Sequence, residues 1–332
     1  VFSAYGREPC IIIPMPNNII FDRPLRLEPQ YRDYVWGGRR LRPQVPGPTA
    51  EAWVIYEADR VNSGAHAGRT LGELCRAYPV ALLGEQSAHY SRFPLLIKLL
   101  DCADWLSLQV HPNDEQARQL EGPEENGKTE AWHVLRAEPG AGILCGFRPG
   151  TTQETIRAAL EGNSILEHVE RLDLQGGDTV LIRAGTAHAL GPGLLIYEVQ
   201  QTSDITYRVY DWDRPPSAGR QLHIQQSLRV IDPALRSNVV SQPALETGSA
   251  VTLAQSDYFV LRQVAAGPEP AQMDTGGQSF HALTALDGSM RVRGAGWEEA
   301  LEAWQSLLIP AQLGQYSVQA ATRTLYLCAS VI

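Results

Sequence analysis

From Leu106 to His111 apolar and polar residues alternate, with Leu106, Leu108 and Val110 on one side and Ser107, Gln109 and His111 on the other. That is the period of two of a half-buried strand. Pro112 ends it, because proline removes a ladder donor. A second strand after Gly127 puts Lys128, Glu130 and Trp132 on a common face. If the polar faces turn inward, Gln109, His111 and Glu130 lie buried together. Such burial is costly unless the groups are hydrogen-bonded or hold a cation. Further on, Val180 and Ile182 alternate with Leu181, Gly185 makes a turn, and His188 follows it directly.

The same patterning predicts strands over 26–36 and 51–56 and a helix over 69–83. Thr70 and Glu73 form a capping box for that helix. Two short helices are expected within 152–171, the second carrying Ile165, Leu166 and Val169. Strands 194–200 and 205–210 read as adjacent, joined by a Gln-Thr-Ser turn, and 222–230 reads as a closing helix. The segment 232–246 is the best linker candidate. Beyond it, strands at 258–263, 280–285, 290–292, 306–309, 316–320 and 325–328 suggest a second, smaller barrel. There LLIPAQLGQYSV follows the spacing of VLIRAGTAHAL, so that Gln315 falls where His188 stands. No His-x-His-like pair precedes Gln315, although His281 exists.

Composition narrows the function classes. The 332 residues carry 28 basic and 37 acidic side chains, a net charge of −9. That opposes non-specific binding to nucleic acid or membrane, and any phosphate must be met by a local basic pocket. No apolar run approaches a membrane span. The cysteines Cys10, Cys75, Cys102, Cys145 and Cys328 are scattered without a CxxC. They read as reduced thiols of a cytoplasmic protein. The start has one short apolar run, 11–13, broken by Pro14 and Pro16, and lacks a signal-peptide core.

Gln109-x-His111, then Glu130, then His188 after Gly177 and Gly185, follows the order of ligands in the cupin barrel. Gln109 stands where the first histidine is usual, and Arg183 where the second motif has proline. This set, with QVHPNDEQA, GKTEAW, AGTAHALGPG, QQTSDITYRVYDWDR, WGGRRL and FPLLIKLLD, resembles the type I mannose-6-phosphate isomerase family over 24–233. The resemblance implies a mainly β chain of two cupin-type jelly-roll barrels with a small helical insert. Residues 1–23 would be a poorly defined extension and 24–240 a catalytic metal-binding cupin, with helical inserts at about 69–92 and 151–171. Residues 241–332 would form a degenerate cupin without metal.

The resemblance further implies one zinc ion per chain on Gln109, His111, Glu130 and His188. Ligand chemistry alone would also accept manganese, iron or cobalt. Ser107, Lys98 and Lys128 would contact a sugar phosphate. Read without the family, they are a barrel hydroxyl, an edge-strand lysine reaching water and an ion-pair partner of Glu130. Arg208 would be catalytic, with Glu198 and Asp204 as candidate bases; otherwise these are an Arg–carboxylate brace between strands. Asp211, Asp213 and Arg214 read as a loop-fixing network. His66, His89, His133, His168 and His223 read as structural or solvent-exposed. The implied reaction interconverts mannose 6-phosphate and fructose 6-phosphate through a cis-enediol, in a monomer or homodimer. The alternatives are a cupin isomerase for another hexose phosphate, which Gln109 and TSDITYR oppose, and an inactive sugar-phosphate-binding or regulatory cupin, which the intact ligand set opposes.

Overall fold

Runs such as LLIKLLD, buried at every position, set the architecture, because a strand apolar on both faces needs a layer on each side. The computed structural model describes residues 19–215, 220–242 and 244–332. A seven-stranded antiparallel sheet runs in the order β1 (Gln30–Arg32), β2 (Glu51–Ile55), β3 (Leu95–Asp101), β10 (Leu194–Gln201), β5 (Glu130–Ala137), β8 (Thr179–Ile182) and β12 (Val239–Val240). One face packs on a five-stranded sheet of β11 (Tyr207–Tyr210), β4 (Leu108–Val110), β9 (His188–Leu190), β6 (Gly142–Phe147) and β7 (Val169–Asp173). Leu100, Trp132, Val134 and Ile196 from the first sheet meet Ile143, Cys145 and Leu190 from the second.

The second half is a five-stranded sheet over a four-stranded one, around Val264, Leu283, Met290, Val292, Leu301 and Tyr326. Neither half closes: each expected barrel is an open two-sheet sandwich. The other face of the seven-stranded sheet packs on the second half. Leu95, Ile97, Leu99, Tyr197 and Val199 share one cluster with Leu261, Phe280, Ala282, Leu308, Leu327 and Ala329. Alternation on β3 thus sends odd residues to the second half and leaves Lys98 on the opposite face.

Among the described residues, five α-helices decorate this frame. The expected helix 69–83 is two, α1 (Leu71–Ala77) and α2 (Pro79–Leu83), because Pro79 lacks the amide needed to continue α1 but suits a helix start. The Thr70–Glu73 capping box is present. α3 (Asp114–Leu120), capped by Asn113 and Gln116, was not anticipated. α4 (Gln153–Glu161) is capped by Thr152. The second helix expected there is only a 3-10 turn, Ile165–His168, and Val169 already opens β7. α5 (Ile224–Val230) closes the first half.

Two further expectations change. Strands β10 and β11 are consecutive in sequence but lie in different sheets, β10 between β3 and β5 and β11 beside β4. The connection begins buried at Thr202 and Ser203 and is tied down there, Thr202 Oγ1 donating to Phe93 O and Ser203 Oγ to Asn126 O, so it crosses between layers instead of turning back. Residues 1–18 of the expected extension lie outside the described residues, but Phe21 is 1% exposed in the shared core and its amide bonds to Gln312 Oε1.

Candidate active site and metal centre

Cross-strand register builds the site from two facing rows. On the five-stranded sheet Arg208 stands opposite Gln109, Gln109 opposite His188, and His188 opposite Cys145. On the seven-stranded sheet Trp53, Lys98, Glu198 and Trp132 form the corresponding row, and Glu130 lies opposite Gln200 one step along. Directly paired residues point to the same face. Between the rows lies a cleft of about 270 Å³.

Behind its lining residues Gln109 and Lys128, which stand 3.3 Å from His188 and 2.8 Å from Glu130, the ligating atoms of His111, Glu130 and His188 all lie within 4.8 Å of one another, and each residue is at most 1% exposed. His111 Nδ1 is 2.7 Å from Ile205 O and His188 Nδ1 is 2.8 Å from Thr186 O. A carbonyl only accepts, so each Nδ1 carries the proton and each Nε2 offers a lone pair toward Glu130. His188 Nε2 is 3.3 Å from Glu130 Oε1 and His111 Nε2 is 3.6 Å from Glu130 Oε2. Among the described residues, His111 Nε2 and Glu130 Oε1 are buried without a hydrogen-bond partner. Convergent orphan acceptors with no donor between them fit a cation. Gln109 Nε2 stands 3.3 Å from His188 Nε2, so ligation by Gln109 needs the amide turned to present its oxygen. Gly185 makes the turn at φ +89°, where its amide bonds His111 O at 2.8 Å and sets His188 beyond it.

Burial pushes the His111 imidazole well below its usual value, aided by the Lys128 charge, and pushes His188 down to about 4. Both histidines are therefore neutral, as ligation requires. Burial also raises the Glu130 carboxyl to about 7, against the pull of Lys128; a bound cation would hold it ionised.

Beside this cluster Lys98 Nζ lies 3.4 Å from Glu198 Oε1 and 3.8 Å from Glu51 Oε2. Lys128 Nζ lies 2.8 Å from Glu130 Oε2 and 3.9 Å from Glu198 Oε1. The edge-strand alternative for Lys98 fails, since β3 is interior and the residue is 4% exposed. Burial alone would lower the Lys98 pKa, but Glu51 and Glu198 outweigh it and raise it. Burial likewise disfavours ionised Glu198, yet Lys128, Lys98 and the Trp132 indole (Nε1 to Oε2, 2.8 Å) together lower its pKa. Ser107 Oγ donates to Gln109 Oε1 at 3.4 Å.

Arg208, half-buried, faces the same cleft from β11. The brace to a carboxylate does not form: among the described residues no carboxylate makes a salt bridge with Arg208, and its Nε is buried without a partner. Asp204 lines the cleft but is exposed. Asp211 accepts from Arg214 and Arg220, and Asp213 from Tyr210. His133 bonds Thr179, and His66 packs on Phe21, both away from the cleft. His223 is different, because it lines the cleft beside Arg208.

Among the charged and imidazole side chains lining the cleft, pattern reasoning missed Glu51, Arg220 and His223. Glu51 shares a strand face with Trp53, whose indole donates to it at 2.6 Å, so its alternation was a usable signal. Arg220, an isolated arginine after a proline–glycine loop, offered none.

The described cysteines Cys75, Cys102, Cys145 and Cys328 are buried and unbridged; Cys10 lies outside the described residues. No described helix is long and apolar enough to cross a membrane.

Residues 25–149 match the family model "Phosphomannose isomerase type I, catalytic domain". The chain is 37% identical over 253 residues to a mannose-6-phosphate isomerase of Streptococcus mutans, covering 72% of this chain and 77% of that protein. It is 32% identical over 309 residues to the mannose-6-phosphate isomerase ManA of Bacillus subtilis, covering 89% and 96%. The crystal structure of the mannose 6-phosphate isomerase from Bacillus subtilis superposes with a TM-score of 0.83 at 28% identity, over 93% of this chain and 99% of that one. Extended identity over nearly whole chains, on a shared fold, places this protein in the type I phosphomannose isomerase family of metalloenzymes.

Proposed function

We propose that this chain interconverts mannose 6-phosphate and fructose 6-phosphate through a cis-enediol, with one zinc ion held by Gln109, His111, Glu130 and His188. The observation that carries this is a buried cluster of two neutral histidines and a carboxylate adjoining, through Gln109 and Lys128, a cleft that Arg208 lines without a salt-bridge partner among the described residues. A zinc ion bound there supplies Lewis-acid polarisation of a sugar oxygen, worth several kcal/mol.

The chain's own groups do the rest. Arg208 remains a cation, although burial and then Arg220 lower its pKa. It gives a fixed positive charge to the oxygen that becomes negative in the enediolate, a kind of donor worth on the order of 10²–10³ in kcat. Glu198 is the better placed of the two candidate bases: buried, lining the cleft, and held ionised by Lys128, Lys98 and the Trp132 indole. A positioned base moving the proton between C1 and C2 contributes about 10²–10⁴-fold. Asp204, exposed at the rim, is the weaker candidate. Lys98, Lys128 and Ser107 are read here as donors to the sugar hydroxyls at that end, because each lysine already faces two carboxylates.

A coupled assay on a panel of hexose and pentose phosphates tests this. Mannose 6-phosphate should turn over fastest, with fructose 6-phosphate as product. A metal-loaded protein that isomerises none of them would leave a sugar-phosphate binder instead.

A further inference from the structure

The cleft is divided by charge. Its floor, built by Glu51, Lys98, Lys128, Trp132 and Glu198, is buried, and Glu130 adjoins it. There two lysines face three carboxylates, and Lys128 is in direct contact with the candidate ligand Glu130. A dianionic phosphate gains little in such a place. Moreover, a sugar whose C1 and C2 lie at that end carries its phosphate on C6, at the far end of the carbon chain. The other side of the cleft, with Tyr34, Asp204, Thr206, Arg208, Arg220 and His223, is partly open to water.

On that side Arg220 is held like a fixture. Its Nε and Nη2 donate to Asp211 Oδ2 and Oδ1 at 2.6 and 2.9 Å, and its side chain is only 11% exposed. Asp211 is 5% exposed and also takes Arg214 Nη1 at 3.0 Å, so two guanidiniums share one carboxylate. A guanidinium has five N–H donors, and this arrangement commits two of those of Arg220. His223 Nδ1 lies 3.2 Å from the Arg208 amide nitrogen. A backbone amide can only donate, so Nδ1 is the acceptor and the neutral ring carries its proton on Nε2, ready to donate. Asp204, the carboxylate that lines the cleft on this side, is exposed and screened by water.

We infer that Arg220 and His223 hold the substrate's phosphate at the open side of the cleft, with Asp211 as the positioning residue that fixes the Arg220 fork. This rests on the sugar-phosphate isomerase reading above. It makes Arg220 a specificity determinant for phosphorylated over free sugar, since a planar, pre-oriented fork suits phosphate oxygens.

Inorganic phosphate is the probe, its dissociation constant measured by calorimetry on the metal-loaded protein and its inhibition constant in the isomerase assay. Calorimetry needs no turnover, so a failed isomerase assay and a failed phosphate subsite give separate results. Arg220→Gln should weaken phosphate about ten- to hundredfold and raise KM for mannose 6-phosphate in parallel, with kcat changed far less. His223→Leu should weaken phosphate as well, by about tenfold, without touching the Asp211 network. The charge-balanced pair Lys98→Met with Glu51→Gln should leave phosphate affinity within about threefold. Unchanged phosphate affinity in both Arg220→Gln and His223→Leu would overturn the assignment. So would a loss in the Lys98 pair as large as that in Arg220→Gln, or parent phosphate binding that vanishes on chelation.

Discussion

Lys98 and Glu198 stand directly opposite each other on β3 and β10, Nζ 3.4 Å from Oε1, with side chains 5% and 4% exposed. Glu51 flanks the same ammonium at 3.8 Å. Breaking a buried ion pair by removing one partner strands the other charge and costs roughly 3–5 kcal/mol. Lys98→Met should therefore lower the unfolding free energy by about that much. Adding Glu51→Gln should return most of the stability but none of the lost kcat/KM, as read from denaturant melts and steady-state kinetics. Activity returning along with stability would make Lys98 a structural residue only.

Arg208 has no salt-bridge partner among the described residues, so its removal leaves no orphan carboxylate. Arg208→Ala should keep its metal and melt within a few degrees of the parent, yet turn over on the order of 10²–10³ more slowly. Arg208→Lys should recover only part of the rate, keeping charge without the planar fork. A variant that loses its metal would place Arg208 in the scaffold.

Asp59 supplies a pH signature away from the site. Burial pushes its carboxyl from 3.8 up to about 7; Oδ1 accepts from Gln30 at 2.9 Å while Oδ2 has no partner. Between those two values the folded state holds a proton that the unfolded chain has released, so this group's contribution falls as pH rises. The slope is about 1.4 kcal/mol per pH unit crossed, and it ends above the folded-state value. Asp59→Asn should accordingly gain stability relative to the parent between pH 4 and 7 and hold a constant difference beyond. Parallel stability curves for the two proteins would show that Asp59 ionises normally.

The halves should not separate. Leu95, Ile97, Leu99, Tyr197 and Val199 bury one face of the seven-stranded sheet against the second half, and Phe93 stacks on Phe280 at 4.8 Å. A chain ending at residue 240 would expose that face. It should aggregate or lack cooperative unfolding in calorimetry; a soluble fragment with a sharp transition would contradict a shared core.

Local periodicity made much of the site readable. Alternation over Ser107, Gln109 and His111 fixed their common face, and the Gly185 turn marked His188. Alternation cannot report which strand lies beside which, so 194–200 and 205–210 read as neighbours although a crossover separates their sheets. That exchange sets Arg208 across the cleft from Glu198 instead of beside it. Pro79 is legible as a break and Asn113 with Gln116 as a cap. The pairing of Lys98 with Glu51 and Glu198 depends on three strands meeting in register, a long-range fact with no local signal.

Direct observation of the reaction with and without metal is the most decisive measurement. Mannose 6-phosphate is incubated with the purified protein, the chelated protein and the chelated protein given zinc, and fructose 6-phosphate is followed by carbon NMR. The arrangement of Gln109, His111, Glu130 and His188 predicts conversion in the first sample, none in the second, and recovery in the third at one zinc per chain. Conversion persisting at an undiminished rate after complete metal removal, or none from fully zinc-loaded protein, would contradict it.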